Sequence, residues 1–165
     1  MKIIALTPGE VQLFESQFKK EKGCWNWEGT EDAQGYGVFY YKRGEQWHQL
    51  YSHRVSYSLY GTEPIDKLMV DHKCHNTLCL NPEHLRTATH QQNQENREGA
   101  NRNSRTGVRG VYIDSGKYRV TVTHKGKRYR PGCYDSLEEA ERVAVELRAR
   151  LHSHLSVSDL MKLKQ

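Results

Sequence analysis

The sequence predicts an α+β fold built from two small modules, because three kinds of pattern follow one another along its 165 residues. Cysteine and histidine residues with metal-ligand spacing occur between positions 24 and 84, and a polar, arginine-rich stretch then interrupts the hydrophobic pattern near position 97. Short runs of β-branched and aromatic residues come next, and apolar residues at helical spacing follow them. We therefore expect a metal-stabilised module in front of a three-stranded antiparallel sheet with one helix.

The positive charge of the chain is concentrated in its C-terminal part. The net charge is +5, and the stretch up to Asn96 holds 10 Lys and Arg against 12 Asp and Glu. From Arg97 onward the counts are 15 against 8. Because a basic surface attracts phosphate groups, we expect this part to contact a nucleic acid, with double-stranded DNA as the partner.

The chain has no pattern typical of a membrane or secreted protein. Residues 1–6 are too short a run for a signal peptide, and no apolar run approaches the ~20 residues of a membrane span. The four cysteines have the spacing of zinc ligands and not of a disulfide framework, which indicates a reducing compartment. We expect a cytoplasmic protein with no membrane partner and no small-molecule cofactor.

Three residues have the spacing of a zinc site, because Cys74, Cys79 and His84 form a C-x4-C-x4-H pattern. Thiolates and an imidazole in this arrangement suit a tetrahedral zinc ion. The fourth ligand has to come from elsewhere, and Cys24 is the candidate. His75 is the alternative, although it lies inside the loop between the two cysteines. Four protein ligands leave no open position for water, so the zinc is expected to be structural.

A second metal site is expected beside the first. Asp71 and Asn93 offer oxygen ligands, which suit Mg2+ and not zinc, and His72 between them can act as a base. A basic aromatic hairpin over residues 37–51 and a helix over residues 52–60 come before this site. The helix carries Arg54, which we expect near the strand of His72.

The run H-x-C-x4-C-x-N-P-x-H-x8-N, from His72 to Asn93, resembles the HNH (His-Me finger, ββα-metal) nucleases, and specifically the zinc-stapled homing endonucleases. The resemblance covers about residues 24–97. It implies a ββα-metal module with His72 as general base, Asn93 as ligand of the catalytic metal and Asp71 as a second ligand. It also implies that Arg54 acts on the scissile phosphate. Asn81 is expected to hold the loop and the orientation of His72 through hydrogen bonds.

The resemblance implies a site-selective DNA endonuclease of the homing type. Neutral His72 would take a proton from water, and the resulting hydroxide would attack the scissile phosphorus in line. One Mg2+, for which Mn2+ can substitute, would stabilise the developing charge, and the products would be a 3′ hydroxyl and a 5′ phosphate. The alternative is a non-catalytic DNA-binding regulator that keeps the zinc-stapled scaffold. A nuclease acting on branched DNA or RNA is a third interpretation.

A polar stretch separates the two modules. Residues 97–107 are rich in Arg, Asn, Gly and Ser and have no hydrophobic period, so we place a first domain at residues 1–97 and a basic linker at residues 98–107. The linker is either a plain tether or a segment that follows the DNA backbone.

The second module is predicted to be a sheet covered by a helix. Strand-like runs lie at residues 111–113, 118–123 and 127–130, and the dipeptides between them favour tight hairpins. A capping box then begins at Ser136, and apolar residues recur at helical spacing as far as Leu151. We expect this helix to cover the apolar face of the sheet.

This order of strands and helix resembles the plant ethylene-response-factor, or APETALA-type, DNA-binding domain, which we place at residues 108–152. The motifs that carry the resemblance are RGV at residues 109–111 and GCYDSLEEA at residues 132–140. In that family the sheet enters the major groove, where arginines meet base edges. The implied DNA contacts are Arg109, Tyr112, Arg119, Thr121, Arg128 and Arg130. Of these, Arg109 and Arg128 match family contact positions. Tyr112, Thr121 and Arg130 differ from the usual Arg, Glu and Trp.

The tail at residues 153–165 has apolar residues at helical spacing. It is either a short dimerisation helix, which a homodimer on a palindromic target would use, or a packed end of the second module.

Overall fold

The computed structural model describes residues 5–65, 67–153 and 155–164. Its chain forms two compact units, Met1–His90 and Gln91–Gln165. Both combine helices with small antiparallel sheets, in agreement with an α+β class. None of the helices in the described ranges is long and apolar enough to cross a membrane.

The first unit consists of two hairpins and two helices. Its elements in chain order are α1 (Pro8–Glu15), β1 (Val38–Arg43), β2 (Gln46–Tyr51), α2 (Ser52–Tyr60), β3 (Met69–His72), a 3₁₀ turn (Pro82–His84) and β4 (Leu85–Ala88). The hairpin β1–β2 and the helix α2 agree with the predicted elements. Strands β3 and β4 pair antiparallel, and this pairing places Asp71 opposite Arg86.

An aromatic core holds the first unit together. Helix α1 begins with a reciprocal capping box between Thr7 and Glu10 and buries Phe14 completely. The core around that side chain comprises Phe14, Phe18, Trp27, Phe39, Tyr41, Val55 and Leu80. Leu80 comes from the loop between the predicted zinc ligands, so the same loop contributes to the core and to the metal site.

The second unit begins with a helix that starts at the last residue of the first. Its elements are α3 (His90–Glu95), β5 (Val111–Asp114), β6 (Lys117–Val120), β7 (Val122–His124), β8 (Lys127–Tyr129), β9 (Cys133–Tyr134), α4 (Leu137–Leu151) and α5 (Val157–Lys162). Strands β5, β6 and β9 form one sheet, and β7 and β8 form a separate hairpin.

The strand arrangement differs from the predicted three-stranded sheet. The predicted middle strand is interrupted at Thr121, whose backbone N–H donates to the carbonyl of Gly110 at 2.8 Å. The third strand of the sheet is therefore Cys133–Tyr134, and residues 127–130 pair only with the continuation of the broken strand. The tight hairpin turns agree with the prediction, since Ser115-Gly116 and Lys125-Gly126 all have positive φ.

Helix α4 covers the apolar side of these strands, as predicted. The Ser136 hydroxyl accepts from the backbone N–H of Glu139 and caps the helix. Ala140 and Ala144 of the helix are fully buried against a strand cluster of Val111, Val120 and Val122.

The second compact unit includes α3, which precedes the predicted linker at residues 98–107. The two units divide after His90, because contacts inside the second unit hold α3. The guanidinium of Arg109 donates to the carbonyls of Gln94, Glu95 and Arg97 and so caps the C-terminal end of α3.

The C-terminal tail is packed inside the second unit. Arg148 of α4 and Asp159 of α5 form a buried ion pair with two hydrogen bonds of 2.7 and 2.6 Å. Ser158 donates to the carboxylate of Glu98. Of the two predicted alternatives for the tail, the packed end therefore agrees with these contacts.

Candidate metal and active sites

Four side chains converge on one point of the first unit. The ligand atoms of Cys24, Cys74, Cys79 and His84 all lie within 4.8 Å of one another. The Nδ1 atom of His84 is 3.4 Å from the sulfur of Cys24 and 3.5 Å from that of Cys79. In a tetrahedral zinc site, sulfur and nitrogen ligands stand roughly 3.5 Å apart, so this Cys3His cluster can bind zinc.

The alternative fourth ligand is not part of the cluster. His75 adopts a left-handed turn conformation, with φ of 58°, between the two loop cysteines, and the described cluster takes Cys24 instead. Backbone hydrogen bonds between Leu80 and Trp25 and between Trp27 and Leu78 hold the Cys24 segment against the loop.

A shared hydrogen bond shifts the pKa values of two of the thiols in opposite directions. A hydrogen bond from Cys79 lowers the pKa of the Cys74 thiol to about 5 and raises the pKa of Cys79. One thiolate is therefore present at neutral pH, which favours the capture of a cation.

The predicted base is buried and oriented by the same loop. His72, at the end of β3, is only 5% exposed, and its Nε2 atom lies 3.1 Å from the carbonyl oxygen of Cys79. A carbonyl only accepts, so Nε2 carries the proton and the lone pair of the neutral ring lies on Nδ1. Burial lowers the pKa of His72, which keeps the ring neutral near pH 7 as a base requires.

Asn81 contacts the loop at two points. Its side-chain amide donates to the carbonyl of Gly23 at 2.6 Å, and its oxygen accepts from the backbone N–H of Glu83 at 3.0 Å. These bonds join the Cys24 segment to the 3₁₀ turn that carries His84. Asn81 thus acts on the cluster geometry, while the carbonyl of Cys79 holds the ring of His72.

Two aromatic neighbours of His72 were missed by the sequence reading. The ring of His53, from the first turn of α2, lies 4.8 Å from the ring of His72, and that of Tyr36 lies 6.1 Å away. Burial lowers the pKa of His53 to about 3, so this second imidazole is neutral too. A lone histidine in a helix and a tyrosine in a loop gave no spacing signal that points to His72.

The predicted metal ligand Asp71 has an ionic partner that was also missed. Arg86, its cross-strand partner, donates from Nε and Nη2 to Oδ2 of Asp71, both at 3.0 Å. The alternation of β4 could have indicated this neighbour once the hairpin register was known.

The remaining predicted residues of the nuclease site lie on helices. Arg54 is half-buried in the first turn of α2, where burial lowers the pKa of its guanidinium. Asn93 is half-buried on α3, which belongs to the second unit, and its pairing with Asp71 stays a prediction.

The predicted DNA contacts of the second unit differ in exposure and in their hydrogen-bond partners. Arg109 faces backbone carbonyls inside the unit, and Arg119 pairs with Asp114 at 2.7 Å. Thr121 is half-buried. Exposed side chains remain at Tyr112, Arg128 and Arg130.

Comparison with known proteins supports the first of the two resemblances. Residues 50–95 match the family model of the HNH endonucleases. A curated relative, Protein 2.8 of Escherichia phage T7, is 38% identical over 72 residues, which are 43% of this chain and 46% of the relative. The chain thus spans about half the length of that relative, and no solved structure matches the chain. The match over residues 50–95, which include His72 and its zinc-ligand loop, supports an HNH nuclease domain in this part of the chain.

Proposed function

We propose that the protein is a site-selective DNA endonuclease of the homing type, which hydrolyses one phosphodiester bond with His72 as general base. The observation that carries this proposal is the hydrogen bond between His72 and the carbonyl of Cys79. It fixes the tautomer in which Nδ1 can accept a proton, and it does so inside a segment that matches the HNH endonucleases.

The reaction uses the neutral ring of His72 to take a proton from a water molecule. The hydroxide formed attacks the phosphorus in line, the bond from phosphorus to the 3′ oxygen breaks, and that oxygen leaves as a 3′ hydroxyl after taking a proton from solvent. The other product carries the 5′ phosphate.

Asp71 carries carboxylate oxygens and Asn93 an amide oxygen, and oxygen ligands of this kind suit a Mg2+ ion, or Mn2+ as its substitute. Arg86 already neutralises Oδ2 of Asp71, so the carboxylate is held in one orientation before any metal binds. When bound, the ion would stabilise negative charge on the phosphate and on the departing oxygen. Arg54 follows His53 in the first turn of α2 and would bind the scissile phosphate.

Site selection is assigned to the second unit as an APETALA-type DNA-reading module. The charge distribution supports this division, because 15 Lys and Arg against 8 Asp and Glu follow Arg97. The exposed Arg128 and Arg130 on and after β8, with Tyr112 on β5, are the side chains available to enter a groove.

Plasmid nicking tests the proposal. The full chain should convert supercoiled DNA to the nicked or linear form with Mg2+ and not with EDTA, and end labelling should find 3′ hydroxyl and 5′ phosphate termini. A protein that binds the plasmid but leaves it intact with Mg2+ or Mn2+ would instead be the non-catalytic regulator. Cleavage of a randomised DNA library would then define the preferred site.

A further inference from the structure

A second group of side chains that could hold a metal ion lies wholly inside the second unit. Glu95 ends α3, His124 ends β7, and His152 follows the last residue of α4. One ligand atom from each of the three lies within 4.8 Å of the other two. Glu95 is 4% and His152 9% exposed. Burial of such polar groups costs free energy unless they are hydrogen-bonded, paired or bound to a metal.

The distances suit a small cation. Oε1 of Glu95 and Nδ1 of His124 are 2.9 Å apart, and the rings of His124 and His152 lie 5.8 Å apart with 29° between their planes. Tetrahedral ligand atoms about 2.0–2.2 Å from a zinc ion stand roughly 3.4 Å from one another, so Oε1 and Nδ1 need to separate by only about half an ångström to admit the ion. A metal ion could therefore replace the proton that Glu95 and His124 now share.

The surroundings orient each ligand, as the outer contacts of a metal site do. The carboxylate of Glu95 accepts from Nε2 of Gln91 at 2.8 Å and from the backbone N–H of Ser153 at 3.3 Å. Nε2 of His152 lies 3.4 Å from the carbonyl of Thr123, so the ring's lone pair lies on Nδ1. That Nδ1 is buried and has no hydrogen-bond partner among the residues that the structure describes. A buried acceptor without a donor is uncommon, and a cation would satisfy it.

An ion could reach the group from solvent. Glu95 and His152 line a cleft of about 670 Å³ in the second unit. Arg109 donates to the backbone carbonyls of Glu95 and Gln94. The Glu95 carboxylate is instead hydrogen-bonded to Gln91, His124 and Ser153.

We propose that Glu95, His124 and His152 bind a divalent transition-metal ion such as zinc, in addition to the ion of the Cys3His cluster. Two imidazoles and one carboxylate are a zinc ligand set that leaves one coordination position for water. The ion would fasten the C-terminal end of α3 to β7 and to the end of α4. Since α3 also carries Asn93, two residues before Glu95, the site would set the position of a helix that the proposed nuclease needs. The competing explanation is a plain ion pair between Glu95 and a protonated His124.

Metal content of the full chain separates the two explanations. The purified protein is loaded with excess zinc, freed of unbound metal by gel filtration and analysed for zinc per chain. The wild type should hold about two zinc ions, one at each site. Glu95→Gln and His152→Asn should each hold about one, and His90→Ala, an exposed histidine at the start of the same helix, should keep both.

Cobalt substitution assigns the ion that is lost. The thiolate-to-cobalt absorption belongs to the Cys3His cluster, so it should be unchanged in Glu95→Gln and His152→Asn. Circular dichroism checks their folding, and Glu95→Gln, nearly identical in shape, decides the matter if His152→Asn unfolds. A wild type with one zinc ion, or a Glu95→Gln chain that still holds two, would overturn the second site. Neither measurement uses cleavage, so a failure here is distinct from a failure of the nuclease proposal.

Discussion

The Nε2 atom of His72 lies 3.1 Å from the carbonyl oxygen of Cys79, whose sulfur belongs to the zinc-ligand cluster. A single fully buried residue therefore contacts the predicted base through its backbone, and its side chain would bind the predicted zinc. Movement of the loop would turn the imidazole, so zinc binding and catalytic geometry should be linked.

Replacement of the base is the first test of the proposed chemistry. We expect His72→Ala to lose cleavage by about 10²–10⁴-fold, because proton transfer to a positioned imidazole contributes that much to the rate. Zinc content and DNA affinity should stay near those of the wild type. His48→Ala, on the β1–β2 hairpin, is the matched control and should cleave normally. An unfolded His72→Ala protein would show that His72 serves the structure instead.

Loss of one zinc ligand should affect the fold and the base together. Cys79→Ser should lower zinc content by about one ion per chain and destabilise the first unit by roughly 4 kcal/mol or more, since loss of a structural metal is among the largest single-residue effects. Cleavage should fall with it. Cys133→Ser provides the control, because that cysteine is exposed and outside the cluster. A Cys79→Ser protein with full zinc content and normal melting would refute the assignment of this ligand.

Features encoded by local spacing could be predicted from the sequence. The C-x4-C-x4-H loop needs only a short turn to bring its side chains together, and Ser136 caps α4 three residues before Glu139. In each case residues within one turn or one loop determine the geometry, so pattern and structure agree.

Features that depend on distant pairings could not be predicted. The contact of His53 with His72 and the hydrogen bonds of Arg109 to the end of α3 join residues that are 12 or more apart in the chain. The two-residue strand β9 has no period of its own and exists only because it pairs with Tyr118 and Arg119 of β6. The hydrogen bonds of Arg109 to carbonyls of its own unit had no sequence signal either, and its DNA contact stays a prediction.

The buried pair between Arg148 and Asp159 should be a main support of the second unit. Both residues are 3% exposed, and Arg148 also donates to the carbonyl of Arg109 at 2.6 Å. Asp159→Ala leaves a buried guanidinium unpaired, so the free energy of unfolding should fall by roughly 3–5 kcal/mol. Asp135→Ala removes a carboxylate from an exposed pair with Lys117, where solvent screens the charges, and should leave the free energy of unfolding nearly unchanged. Equal losses in chemical denaturation would contradict the packed tail.

Acid sensitivity of the first unit should depend on Glu10. Hydrogen bonds from Arg43 lower the pKa of this carboxyl from its ordinary 4.5 to about 2. The folded state therefore binds the proton more weakly than the unfolded state, and the pair stabilises fully above about pH 4.5. That contribution should disappear as the pH falls from 4.5 toward 2. In Glu10→Gln the stability should be lower near neutral pH and should change less over this acid range. Parallel stability curves for the two proteins would argue against the link.

The last prediction separates DNA reading from folding among the arginines of the second unit. Arg128 is exposed on β8, opposite Thr123, whereas Arg109 caps α3 from inside the unit. Arg128→Ala should therefore weaken binding to the preferred site by roughly 1–3 kcal/mol if it contacts a base, with melting unchanged. If it contacts a phosphate, affinity should fall evenly on all sequences, and the slope of log affinity against log salt concentration should become shallower by about one.

Arg109→Ala should instead lower the melting temperature, because three carbonyls lose their donor. Binding titrations at several salt concentrations, on specific and random DNA, measure the first effect, and thermal unfolding measures the second. Unchanged affinity and unchanged site preference in Arg128→Ala would show that β8 is not the reading surface.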